Sequence, residues 1–291
     1  MLASLALTAC GDDSGESPQP GEKVQTAILS GELEMPAPRG GKSIVVRHTA
    51  KLNEQSGLKG TNYSIEWDTE LRAQRWSCYK MYNTVIAKNV SRYSASNDGL
   101  LLPTSQYPND PDLPAEYRLT TDPYKFSGYD HGHICPSADR LCSNEANYQT
   151  FYITNMQPQG NDFNAGIWAD METQVRNWSH SVDTLYVCKG GTIDSSANIV
   201  QYLGSGQNKI PVPRYFFMAV LGRTGNTLKA TAFWIDQTSY RSTSLRGYVK
   251  TVGELQALTG IDFFHSLPDD IEAEVENPGH LKMQQEWTWY K

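Results

Sequence analysis

A glycine flanked by two histidines, in Asp130-His131-Gly132-His133-Ile134-Cys135-Pro136, constrains this chain more than any other stretch. Residues two apart cannot share a helical face, where neighbours lie three or four residues apart. The segment is therefore a strand or turn in which both histidines point the same way. The chain has only six histidines, and a side chain that titrates near neutral pH and also binds metals suits a general base or a ligand pair. Two ordinary histidines in a surface turn are the plainer reading.

A second unusual segment runs from Thr154 to Glu172. Its first half, Asn155-Met156-Gln157-Pro158-Gln159-Gly160, reads as a turn, and a helix is expected over Gly166 to His180 with Asp162 as its N-cap. Ile167, Met171 and Val175 repeat at helical spacing and should face a core. Asn164, Trp168 and Glu172 form another stripe, placing an amide and a carboxylate two turns apart on roughly one face. Read plainly, Glu172 pairs with Arg176 at i+4, which contributes only about 0.2–0.5 kcal/mol. Oxygen donors beside a histidine base would instead suit a hard cation such as Mg²⁺, which keeps most of its waters.

These blocks, with Pro136-Ser137-Ala138-Asp139-Arg140 between them, resemble the signature of the DNA/RNA non-specific endonucleases, whose site is a ββα-metal motif. Weaker likeness extends to Asn62-Tyr63, Asp110-Pro111-Asp112-Leu113-Pro114, Ile210-Pro211-Val212-Pro213 and Thr259 to Phe264, so it spans roughly residues 60 to 275. The resemblance implies a ββα core on a mainly antiparallel central sheet, and hydrolysis of DNA or RNA to 5′-phosphate ends. It implies His133 as general base, Asn164 as the protein ligand of Mg²⁺, with Mn²⁺ as a substitute, and Glu172 holding the metal's waters. It also implies that Asn155 orients the site and that Arg176 lies near the phosphate. Two departures stand out. His131 occupies the place of a phosphate-clamping arginine, and no arginine occurs around Pro103 to Gln106, where the family has one; Arg92 and Arg118 are the substitutes in reach. The alternatives are a phosphodiesterase acting on nucleotides or small phosphate esters, and an envelope binding protein with a degenerate site.

Residues 1–10 end in Leu7-Thr8-Ala9-Cys10 and resemble a bacterial lipoprotein signal with a lipidated cysteine, which would place the protein outside the cytoplasm, anchored to the membrane. Residues 11–28 are rich in Gly, Ser, Pro and acidic groups and read as a flexible tether, leaving residues 29–291 as one domain. With Cys10 assigned to lipid, Cys78, Cys135, Cys142 and Cys188 remain, and an even number in an exported protein favours disulfides in one of three pairings. The rival is a zinc cluster of His131, His133, Cys135 and Cys142, in which Asn164 and Glu172 would have no role.

Strands are expected at Ser43 to Arg47, Ser77 to Ile86, Thr150 to Ile153, Thr184 to Lys189, Tyr215 to Leu221 and Leu228 to Ile235. Helices are expected at Thr69 to Trp76, Asn144 to Tyr148, Gly166 to His180 and Val252 to Leu258. That non-alternating mixture is α+β. The net charge of −7 opposes a nucleic-acid partner, but a nuclease needs only a local basic cleft. Arg140, Arg176, Lys189, Arg214, Arg241 and Arg246 are candidates for its rim.

Overall fold

The computed structural model describes residues 19–96, 105–238 and 244–289. Cys10, the acidic run 11–18 and Arg241 lie outside the described residues. Within the stretch read as a tether, Pro20–Ser30 is a helix, α1, with Pro at its first position, where the missing N–H costs nothing.

The centre is a seven-stranded sheet in the order β1-β2-β3-β6-β9-β10-β11, antiparallel at every described pairing. Its strands are β1 (Ser43–Lys51), β2 (Lys59–Asp68), β3 (Ala73–Met81), β6 (Thr184–Gly191), β9 (Tyr215–Thr224), β10 (Thr227–Asp236) and β11 (Val249–Lys250). Two short ribbons stand apart, β4 (Asp130–His133) with β5 (Met156–Gln159), and β7 (Ile199–Leu203) with β8 (Ile210–Pro213). The helices are α2 (Asn144–Gln149), α3 (Ala169–Ser179), α4 (Val252–Thr259), α5 (Asp269–Glu276) and α6 (His280–Glu286). The fold is α+β, as expected.

Both faces of the sheet are buried. On one, Ile65, Val187, Met218 and Phe233 pack against Ile167, Met171, Val175 and Trp178 of the helical segment, so the predicted apolar stripe does seat this helix. On the other, Trp76, Phe217 and Ala232 pack against Val252 and Leu255 of α4 and against Phe263 and Phe264. Burial on both sides explains why β6 is buried at every position instead of alternating. Thr251 and Glu254 close a capping box at the start of α4, and Gly260 ends it at φ 69°.

Three expectations are corrected. Ala73–Met81 is strand β3, not the second half of a helix from Thr69, because its side chains are buried between two layers. Thr150 to Tyr152 is the turn that ends α2, Ile153–Asn155 is a short 3-10 turn, and the strand begins at Met156. All four remaining cysteines are free and buried. Cys135 belongs to the main core and Cys142 to a separate small cluster, while Cys78 and Cys188 face each other as thiols on β3 and β6. Burial pushes the Cys135 thiol up to about 12 and those of Cys78 and Cys188 well above the ordinary value, so these are inert core residues.

On α5, Glu276 is 4% exposed; Gln256 Nε2 donates to its Oε2 at 2.8 Å, and Oε1 has no protein partner. Burial, reinforced by Glu272 and Asp262, raises its carboxyl from 4.5 to about 8. The folded value lies above the unfolded one, so this stabilising contribution is complete below pH 4.5 and is lost as pH rises through 8. Glu276→Gln, neutral at every pH, is expected to raise Tm at pH 9 by several degrees, about 2–4 °C for each kcal/mol, with no gain near pH 4. Calorimetry at both pH values checks this; an equal change at both would remove the titration from the explanation.

Candidate active site

β4 and β5 pair antiparallel, with Asp130 opposite Gln159 and His133 opposite Met156. The two segments singled out in the sequence are thus strand partners, and a helix follows the second directly. Gly132 serves this pairing by its size, since a Cβ there would come within 2.3 Å of the buried Gln159 side chain.

After β5, Gly160 caps a helical turn, Asn161–Phe163, so Asp162 lies inside the first turn and is not the N-cap. A widened five-residue turn follows, Asn164–Trp168, kinked at Gly166 (φ −104°, ψ −112°), and then α3. In a regular helix, eight residues leave the last about 80° from the first; one extra residue in a widened turn reduces that to about 20°. Asn164 and Glu172 line the same cavity of about 380 Å³, together with Arg92, Asp130, His131 and His133.

His133 Nε2 is shielded from solvent and has no protein partner, while its ring is hydrogen-bonded to the backbone of His131. Burial, assisted by Arg92, lowers its pKa to about 3, so the ring is neutral at pH 7 with one nitrogen lone pair unengaged. Its ring stands edge-on to Phe151 at 4.9 Å, which fixes its orientation.

Asn161 and Asn164 both donate their side-chain N–H to Asp130 Oδ2 at 3.0 Å. A carboxylate can only accept, so Asp130 fixes the amide nitrogen of Asn164 and leaves Oδ1 for a ligand. Lys189 Nζ, fully buried on β6, meets Glu172 Oε1 at 2.7 Å and lies 4.6 Å from the centre of the Trp168 ring. Burial pushes the Glu172 carboxyl up and Lys189 pulls it back. Glu172 Oε2 is 4.0 Å from Arg176, whose guanidinium is bound at 2.8 Å to the buried Asp139.

His131 sits between two tyrosine rings, Tyr107 at 3.7 Å and 7° and Tyr124 at 4.2 Å and 22°, with Nε2 3.0 and 3.1 Å from the Asp122 oxygens. Against the upward push of burial, His131 holds the Asp122 carboxyl below the usual carboxylate range. The imidazole is therefore braced on both faces and at one nitrogen.

Asn155 lies outside the cavity. It is fully buried, accepts from Cys135 N and Ser77 Oγ, and donates to the carbonyls of Cys135 and Thr150. It thereby fixes the exit of β4 against β3 and the end of α2. Of the two substitute arginines, Arg92 lines the cavity over the Phe151 ring, whereas Arg118 donates to the carbonyls of Leu113 and Pro111. Nor do Arg140 and Lys189 form a rim, because both are buried, Arg140 on the carbonyls of Asn62 and Lys80. The zinc scheme fails on geometry, since Cys135 and Cys142 occupy separate clusters. Among the described residues one other group, His48, Asp110 and Asp112, brings ligand atoms within 4.8 Å. The Asp110 carboxylate there is already engaged by His48, Thr154 Oγ1 and the Asp112 backbone.

The sequence matches the model of the DNA/RNA non-specific endonuclease family over residues 42–270. The chain belongs to that family. It is 33% identical over 179 residues to a nuclease of Nostoc sp., covering 58% of this chain and 62% of the relative. It is 30% identical to nuclease C1 of Cunninghamella echinulata, covering 59% and 71%, and 24% identical to the mitochondrial nuclease EXOG of Homo sapiens, covering 75% and 58%. The chain thus spans from just over half to about seven-tenths of the length of these relatives. Its fold is similar to that in the crystal structure of the EndoG/EndoGI complex, with a TM-score of 0.59 and 23% identity over 71% of this chain and 84% of the matched one. In this endonuclease-family chain, two cavity residues and one buried lysine that holds Glu172 were not chosen as site residues from sequence. Asp130 was visible only as part of the motif, Arg92 only as a substitute, and Lys189 only as a candidate for a basic rim. A lysine directly after the apolar run Leu185-Tyr186-Val187-Cys188 and within the same strand was the available signal for the last, because such a strand is buried.

Proposed function

We propose that this chain is a divalent-metal-dependent endonuclease of low sequence specificity that hydrolyses phosphodiester bonds in DNA or RNA and leaves 5′-phosphate ends. The observation that carries this reading is the convergence of an unpartnered His133 Nε2, the ligand-ready oxygen of Asn164 and the Glu172 carboxylate on one cavity. His133, neutral at pH 7, takes the proton of the attacking water. Arg92 lines the cavity beside His131 and opposes the negative charge of the phosphate. Lys189 holds Glu172 in place without reaching solvent, and Asn155 keeps β4 and the strand that follows α2 in register.

The oxygen donors fit Mg²⁺, or Mn²⁺, held by Asn164 with Glu172 hydrogen-bonded to its waters, because a hard cation that retains water needs few protein ligands. Such an ion supplies charge neutralisation at the phosphate and the leaving oxygen. On sequence grounds we also place the enzyme outside the cytoplasm, held to the membrane by lipid on Cys10. Supercoiled plasmid is expected to be nicked with Mg²⁺ and left intact with EDTA, with activity restored by Mg²⁺ or Mn²⁺; nicking indifferent to the chelator would overturn the metal-dependent reading. Intact plasmid beside hydrolysis of a small phosphodiester would favour the small-ester alternative.

A further inference from the structure

Asp122, whose carboxylate holds His131, also lines a second cavity of about 380 Å³ with Lys125, Ser127, Tyr202 and Asn208. The two cavities share another connection: Gln201 Nε2 on β7 donates to the Tyr129 hydroxyl at 3.0 Å, and Tyr129 lines the active-site cavity. Asn208 Oδ1 accepts from the backbone N–H groups of Thr120 and Thr121 at 2.7 and 3.0 Å, so the β7–β8 connection and the 120–128 loop form one braced unit.

This unit concentrates exposed apolar surface. Phe126 is 95% exposed, Val200 48% and Tyr202 41%, three of the six large exposed hydrophobics among the described residues. Phe126 also has φ 62°, a conformation costly for a bulky side chain and found where surrounding structure enforces it. A lysine lies over each ring, Lys125 at 5.3 Å from Phe126 and Lys209 at 4.2 Å from Tyr202. Exposed aromatic faces interleaved with cations suit unpaired nucleic acid, whose bases stack on rings while its phosphates meet positive charge. The Asp122 oxygens are engaged by His131 Nε2 at 3.0 and 3.1 Å, and one of them also accepts from the Tyr124 backbone N–H.

We propose that this second cavity is a subsite for an unpaired DNA or RNA segment. Bases stack on Phe126 and Tyr202, Lys125 and Lys209 meet flanking phosphates, and the strand continues past Asp122 to the scissile phosphate. The inference rests on the nuclease reading above and deepens it, since stacking tolerates every base yet requires a strand free of its partner.

The test is the affinity of wild type, Phe126→Ala, Tyr202→Ala and the double variant for a fluorescein-labelled single strand and for a hairpin-closed duplex, read by anisotropy in EDTA. Both rings are exposed, and matching unfolding curves verify the fold. Single-strand affinity is expected to fall about tenfold per ring, with duplex affinity little changed. Unchanged single-strand affinity, or equal losses on both ligands, overturns the subsite. The selectivity of cleavage for a long single strand over bis(p-nitrophenyl) phosphate should fall in parallel. If the variants show the expected binding losses but wild type cleaves nothing with Mg²⁺, the nuclease reading fails and the subsite stands.

Discussion

Replacing His133 with alanine is expected to lower plasmid nicking by about 10²- to 10⁴-fold, the usual contribution of a positioned general base. The ring packs against Phe151, so His133→Asn, which keeps a polar side chain without a basic nitrogen, separates lost chemistry from lost packing. Both variants should be equally impaired while binding nucleic acid as wild type does. The pH dependence carries independent information. Burial and Arg92 lower His133 to about 3, the neutral ring is the active form, and protonation removes it only as pH falls towards that value. The acid limb of kcat/KM, which reports groups of the free enzyme, is therefore expected well below the ordinary imidazole value of 6.5. Nicking by either variant at a tenth of the wild-type rate would remove His133 from the role of base.

Asn164→Ala should abolish the calorimetric Mg²⁺ signal and reduce cleavage by about 10²-fold or more, because it removes the one oriented amide oxygen in the cavity. Unchanged Mg²⁺ affinity would exclude Asn164 as ligand. Asn164→Asp is the more discriminating variant. It keeps an oxygen and adds charge, which would favour a cation in isolation, but it sets a carboxylate against Asp130 where an N–H now donates. Incomplete rescue by aspartate, improved when Asp130 is also changed to Asn, is the expected pattern.

The chemistry-bearing segments were legible because they combine rare residues at fixed spacings, and the helix after them because Ile167, Met171 and Val175 repeat every four residues. The pairing of the two motifs as strands was not. Asp130–His133 and Met156–Gln159 are four residues each and lack apolar alternation; the pairing of Gly132 with Gln157 and the close approach of Gln159 hold them together. Thr69 to Trp76 was read as a helix from the capping residues nearby, yet Arg75 is buried against Asp68 and Asp194 in a strand. The reading of His131 changed most. In sequence it was an imidazole in an arginine's place; in the fold it has its own carboxylate and two flanking rings, which give it a fixed position that an unsupported histidine would lack.

The widened turn at Asn164–Trp168 makes the number of residues between Asn164 and Glu172 part of the site. No side-chain contact between those two residues aligns them; the count along the helix does. Substitutions at the exposed Ala165 leave that count untouched, whereas deleting a residue from the regular helix before Glu172, with the widened turn kept, would rotate the amide about 100° further from the carboxylate. The site is accordingly tolerant of changes in letter, whereas spacing and turn type are fixed together, because a regular helix reaches the same alignment only with one residue fewer.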